Sequence, residues 1–132
     1  MGRLQLTVGV LLGVVFLPQF AKAGFKNTYS DWKTMGEASQ SIYSEGLLDA
    51  AIVADQSADG EAFASGMRDC ATKLHLTGAL MADAITKYYA DDTSKWGEPP
   101  TGAFWDVIIR GACFSHINNA RVNLGLTPWM KN

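Results

Sequence analysis

The stretch Thr77-Gly78-Ala79-Leu80-Met81-Ala82-Asp83-Ala84-Ile85-Thr86-Lys87-Tyr88-Tyr89-Ala90-Asp91 decides the fold class. Its apolar residues Leu80, Met81, Ala84, Ile85, Tyr88 and Tyr89 recur at helical spacing, which puts them on one broad face of an α-helix, whereas a half-buried strand would alternate strictly. Thr77 suits the N-cap, because its hydroxyl can accept an amide proton of the first turn, and the helix is predicted to end near Asp91. A face this wide fits between neighbouring helices, so the segment predicts an all-α bundle.

Working outward, Trp32, Met35, Ile42, Tyr43, Gly46, Leu47, Ala50 and Val53 repeat the helical spacing, and predict one long amphipathic helix over about 31–57, bent near Gly36. Asn27 to Ser30 supply capping residues before it. Gly46 costs about 1 kcal/mol in a helix interior relative to Ala, which suggests the close approach of another backbone there. Ser57 to Gly60 has turn composition, and Glu61 to Cys70, with mixed polarity and glycine, reads as a short helix or an irregular crossing. On the other side, Asp91 to Pro100 ends in two prolines and reads as a loop. Thr101 is the next N-cap candidate, and 103–118 is apolar almost all the way round, as befits a central helix. From about 119 the chain becomes a tail containing Gly125, Pro128 and Trp129. The expectation is a single domain, a small bundle of four to five helices.

The N-terminus carries Arg3, then the apolar run Leu6 to Leu17, Pro18, and Ala21-Lys22-Ala23. A charged start, a short apolar stretch and small residues before the cut are the order of a secretory signal peptide, so residues 1–23 are expected to be removed between Ala23 and Gly24. The apolar run is shorter than the roughly 20 residues needed to span a bilayer, and stable membrane insertion is not expected. Removing residues 1–23 from the 132 leaves 109, one domain's worth. Without Arg3 and Lys22 the eleven basic residues fall to nine against thirteen acidic ones, a formal charge of −4. Nucleic acid, which calls for a basic face, is a poor partner for such a domain. Cys70 and Cys113 are the only cysteines, and an even pair in an exported chain is expected to form a disulfide in the periplasm.

Little in the chain reads as catalytic chemistry. His75 and His116 lie on different elements with no second His three or four residues away, so neither metal nor cofactor is expected. No Ser-His-Asp set can be assembled from spacing alone, and Asp91 with Asp92 reads as a cap or turn. The expectation is a non-enzyme. Trp32 and Trp105 lie on apolar faces and are assigned to the core. Trp96 and Trp129 lie on a loop and a tail, where exposed aromatics anchor protein interfaces, folding back over the bundle being the other option. With Asp91, Asp92 and Glu98, these two tryptophans form the candidate partner-binding set.

The order Tyr43-x-x-Gly46-x-x-Asp49-Ala50, Cys70, Thr77-x-x-Leu80, Lys87-Tyr88-Tyr89, Trp96, Pro99 and Cys113 resembles the small periplasmic immunity proteins of type VI secretion systems, the Rap and Tai types, which are related to HdeA-like acid-periplasm chaperones. The resemblance covers about residues 40–114. It implies a disulfide-closed helical bundle, often a homodimer, that protects the producing cell by plugging the active site of a toxic wall-cutting amidase with a protruding loop, here Asp91 to Glu98. The alternative it implies is an envelope-stress or acid chaperone.

Overall fold

The computed structural model describes residues 26–53 and 55–130; the expected signal peptide and its cleavage site lie outside the described residues. The described chain is all-α, with helices α1 (Tyr29–Thr34), α2 (Glu37–Ala51), α3 (Ala58–Lys73), α4 (Gly78–Asp91), α5 (Pro100–Phe104) and α6 (Phe114–Asn123). A 3₁₀ turn at Thr93–Gly97 follows α4, and a π-helical segment at Trp105–Ala112 joins α5 to α6. None of these helices is long and apolar enough to cross a membrane.

The long N-terminal helix expected over 31–57 is two helices, and the second stops at Ala51. Thr28 caps α1 through a capping box with Asp31. The chain then leaves helical geometry at Met35 (φ −77°, ψ 136°), and Gly36 serves as the N-cap of α2. The break releases the Trp32 carbonyl, which accepts from Met35 N–H at 3.1 Å and from Gln40 Nε2 at 2.9 Å. In return Trp32 is fully buried, its indole N–H donating to Thr86 Oγ1 at 3.0 Å, as its core assignment required.

The segment expected to be short or irregular is the 16-residue helix α3, with Ser57 as its cap. Ala62, Ala64, Gly66, Met67 and Cys70 are its buried residues. Small side chains let another backbone come close: a Cβ on Gly66 would overlap the Ile117 and His116 backbone of α6. A Cβ on Gly78 would likewise overlap Ser41 of α2, whereas one on Gly46 would meet nothing within 4 Å. The close approach expected at Gly46 therefore occurs at Gly78, on the facing helix. The bundle is two tight pairs, α2 on α4 and α3 on α6. Gly78→Ala is expected to cost about 1–2 kcal/mol through overpacking, and Gly46→Ala to add up to about 1 kcal/mol through helix propensity. Urea unfolding of both variants checks this, and a stabilised Gly78→Ala would contradict the tight α2–α4 contact.

Trp32, Met67, Met81, Ile85, Tyr89, Phe104, Ile108, Ile109 and Ile117 fill the core. The expected single helix over 103–118 begins earlier, with Pro99 rather than Thr101 as N-cap and Pro100 at the first helical position, where its missing N–H leaves no donor unpaired. It then widens, Cys113 N–H donating to Ile108 O five residues back at 2.8 Å. The wider turn changes which residues face inward, and Trp105, assigned to the core, is 44% exposed. Cys113 pairs with Cys70 as expected, at a Cα–Cα distance of 5.3 Å. Helix α6 runs to Asn123, so the tail starts at 124 rather than about 119.

Candidate functional site

Four of the five candidate binding residues come together on the segment between α4 and α5. Asp91 closes α4, with Lys87 Nζ 2.7 Å from its carboxylate, both groups exposed. Asp92 then turns extended, and its Oδ1 accepts Ser94 N–H at 2.9 Å, capping the 3₁₀ turn. Hydrogen bonds from the Ser94 hydroxyl and then its amide hold the Asp92 carboxyl below its ordinary value. The expected loop is thus a short ordered turn with its own cap.

Trp96 sits near the end of that turn. Its indole N–H donates to the Tyr89 carbonyl at 2.9 Å. Its ring packs on Tyr29, with centres 5.2 Å apart, and Tyr29 packs on Tyr89 at 4.9 Å. The residue nonetheless remains 49% exposed. Glu98 is fastened at both backbone and side chain: Tyr89 Oη donates to its carbonyl at 2.8 Å, Tyr88 Oη to its Oε2 at 2.6 Å and Lys95 Nζ to its Oε1 at 3.1 Å. The Tyr88 and Lys95 hydrogen bonds lower the Glu98 pKa, and Glu98 raises that of Lys95. Asp106 Oδ2 also lies 3.0 Å from the Tyr88 oxygen. Burial first, then these two carboxylates, push the Tyr88 hydroxyl up, so at neutral pH it is a proton donor and no nucleophile. The arrangement holds an aromatic ring and several carboxylates in a fixed layout, which suits recognition.

Trp129 is placed elsewhere. Its ring neighbours are Phe63 at 6.0 Å and Trp105 at 6.4 Å, with the Arg121 guanidinium 5.3 Å from its centre, whereas Trp96 contacts α1 and α4. The buried Arg121, paired with Asp59 at 2.7 Å, went unnoticed in the sequence; its spacing of four from Ile117 on one helix face was the available signal. His116 Nδ1 lies 2.7 Å from Asp69 Oδ2 along an open polar groove of 590 Å³ between α3 and α6, which Ser65, Lys73 and Asn119 also line. Among the described residues no group of three or more His, Cys, Asp or Glu is arranged to hold a metal ion. No family model, curated protein or solved structure matches the chain.

Proposed function

We propose that the chain is an exported, periplasmic protein-binding domain that neutralises a partner by seating its Asp91–Glu98 turn in the partner's cleft. The observation that carries this reading is the state of Trp96: half in solvent, yet with its N–H already bonded and its ring braced by Tyr29. An aromatic ring ordered before binding loses little freedom on docking, and the carboxylates around it suit a cleft with a basic rim. The resemblance to the Rap and Tai types supplies the class of partner, a secreted cell-wall-degrading amidase against which this chain confers immunity. Export of the products of the flanking genes, with and without this chain, tests it: one product is expected to lyse cells that the native chain protects. Lysis by a flanking product that the native chain leaves undiminished would remove the immunity reading.

A second reading, an HdeA-like acid chaperone, is favoured by the number of carboxylates held by hydrogen bonds. Asp31, Asp55, Asp69, Asp92 and Glu98 all have lowered pKa values, led respectively by hydrogen bonds from Asn27, Ser57, His116, Ser94 and Tyr88. A carboxyl with a lower pKa in the folded state contributes stability that is complete above its unfolded value, 3.8 for Asp and 4.5 for Glu, and lost as pH falls through the folded value. The thermal midpoint is therefore expected to be level from neutral pH to about 5 and to fall below about 4. Exposure of apolar surface, read with a hydrophobic dye, should rise over the same window. A midpoint at pH 3 equal to that at pH 7 would exclude the acid-switch reading.

A further inference from the structure

Helix α6 ends in a turn that sends the following chain back over the bundle. Gly125 takes the left-handed conformation (φ 72°), its N–H donating to Val122 O and that of Leu126 to Arg121 O, both at 2.9 Å, the hydrogen-bond pair of a Schellman cap. From Leu126 to Met130 the chain carries no helix. It is gripped by polar side chains. Asn118 Nδ2 donates to the Trp129 carbonyl at 3.1 Å, and the Trp129 N–H donates to Asn118 Oδ1 at 2.7 Å. Arg121 Nε donates to the Thr127 carbonyl at 2.7 Å, while its Nη1 is held by Asp59 of α3 at 2.7 Å.

Three of these contacts read main chain: an amide and a carbonyl of one residue, and a carbonyl two residues earlier. They fit any non-helical segment that follows the same path, whatever its side chains. Selectivity comes from the ring site, where Phe63, Trp105 and Arg121 surround the Trp129 indole and the guanidinium attracts the face of an aromatic ring. Burial holds the segment only in part, since Trp129 is half-buried and Met130 exposed. Its root at Gly125 is open, with nothing within 4 Å of a Cβ there.

We propose that the surface formed by α3, the π-helical segment and α6 is a peptide-binding site occupied by the chain's own Thr127–Met130, and that a tryptophan-bearing segment of a partner protein binds there by displacing it. The segment seated in the structure defines the chemistry of the occupant: an unstructured stretch with Trp at the position of Trp129. The site is separate from the Asp91–Glu98 turn and does not depend on the role given to it.

The test uses the full chain with Trp129→Ala, which weakens the resident segment, and as probe an acetylated synthetic peptide of sequence Leu-Thr-Pro-Trp-Met-Lys-Asn. The peptide is expected to bind this variant saturably in calorimetry and raise its thermal midpoint. Adding Asn118→Ala should weaken binding about tenfold, as loss of a half-buried hydrogen-bond pair predicts, and a peptide with Ala in place of Trp should not bind. A Trp129→Ala chain with native circular dichroism that binds no peptide overturns the proposal. If that variant does not fold, amide exchange in the native chain decides. A Trp129 N–H that exchanges at far lower free energy than the α3 and α6 amides supports a displaceable tail; exchange only through global unfolding overturns it. Native chains that trade tails into dimers and exclude the peptide would also overturn it, assigning the site to a second copy.

Discussion

Replacing Cys70 or Cys113 by Ser is expected to lower the unfolding free energy by about 2–5 kcal/mol. The bond ties the last turns of α3 to the joint between the π-helical segment and α6, across a sequence separation of 43. Closing a loop of that length restricts the unfolded chain by roughly 4 kcal/mol on the chain-entropy model. Both cysteines are fully buried among apolar residues, so a serine hydroxyl there adds a desolvation cost unless it finds a partner. For a domain of this size that is a large fraction of a total of about 5–15 kcal/mol. Urea unfolding of the oxidised native chain, the reduced native chain and each variant measures it. Variants within about 0.5 kcal/mol of the oxidised protein would show that the α3–α6 contact at Gly66 suffices without the bond.

Trp96→Ala is expected to weaken binding of the neutralised partner by about 2 kcal/mol or more, roughly 30-fold, as for an interface hot spot. The structure adds a second effect. Because Tyr29 loses a ring neighbour and Tyr89 O its donor, the same substitution should also cost up to about 2 kcal/mol of stability, half or less of what a fully buried tryptophan would cost. Asp91→Asn with Asp92→Asn separates the two effects, since Asn can still cap the 3₁₀ turn through its side-chain oxygen. This pair should slow association and flatten its salt dependence while the thermal midpoint barely moves. If Trp96→Ala destabilises the fold but its folded fraction binds with native affinity, the recognition surface is not this turn.

The all-α class, the Cys70–Cys113 pairing, the Thr77 cap and the end of α4 at Asp91 were legible because each rests on a local rule: helical spacing, an even cysteine count or a capping hydroxyl. Helix α3 was not. Apart from Met67 and Cys70 its buried face is made of alanines and glycine, whose worth lies in letting α6 approach, and hydrophobic periodicity does not register absent side-chain volume. The discontinuity was legible as a bend near Gly36, but the spacing from Trp32 to Ile42 suits one bent helix or two, so the full break at Met35 was not. Trp96 was located correctly as a loop aromatic, but its support by Tyr29 and Tyr89 is a tertiary fact. The Asn118 and Arg121 contacts to the tail were illegible for the same reason: the spacing of Arg121 from Ile117 signals burial, but not which main-chain groups the side chain meets.

The π-helical segment sets the angular phase between α5 and α6. Were the same residues of Trp105–Ala112 wound as α-helix, the residue absorbed by the wide turns would instead rotate everything downstream by about 100° or more. Cys113 would then no longer face Cys70, and Arg121 would leave Asp59. The segment therefore acts as a spatial reading frame: it holds a residue that α-helical winding could not accommodate without turning α6 away from α3.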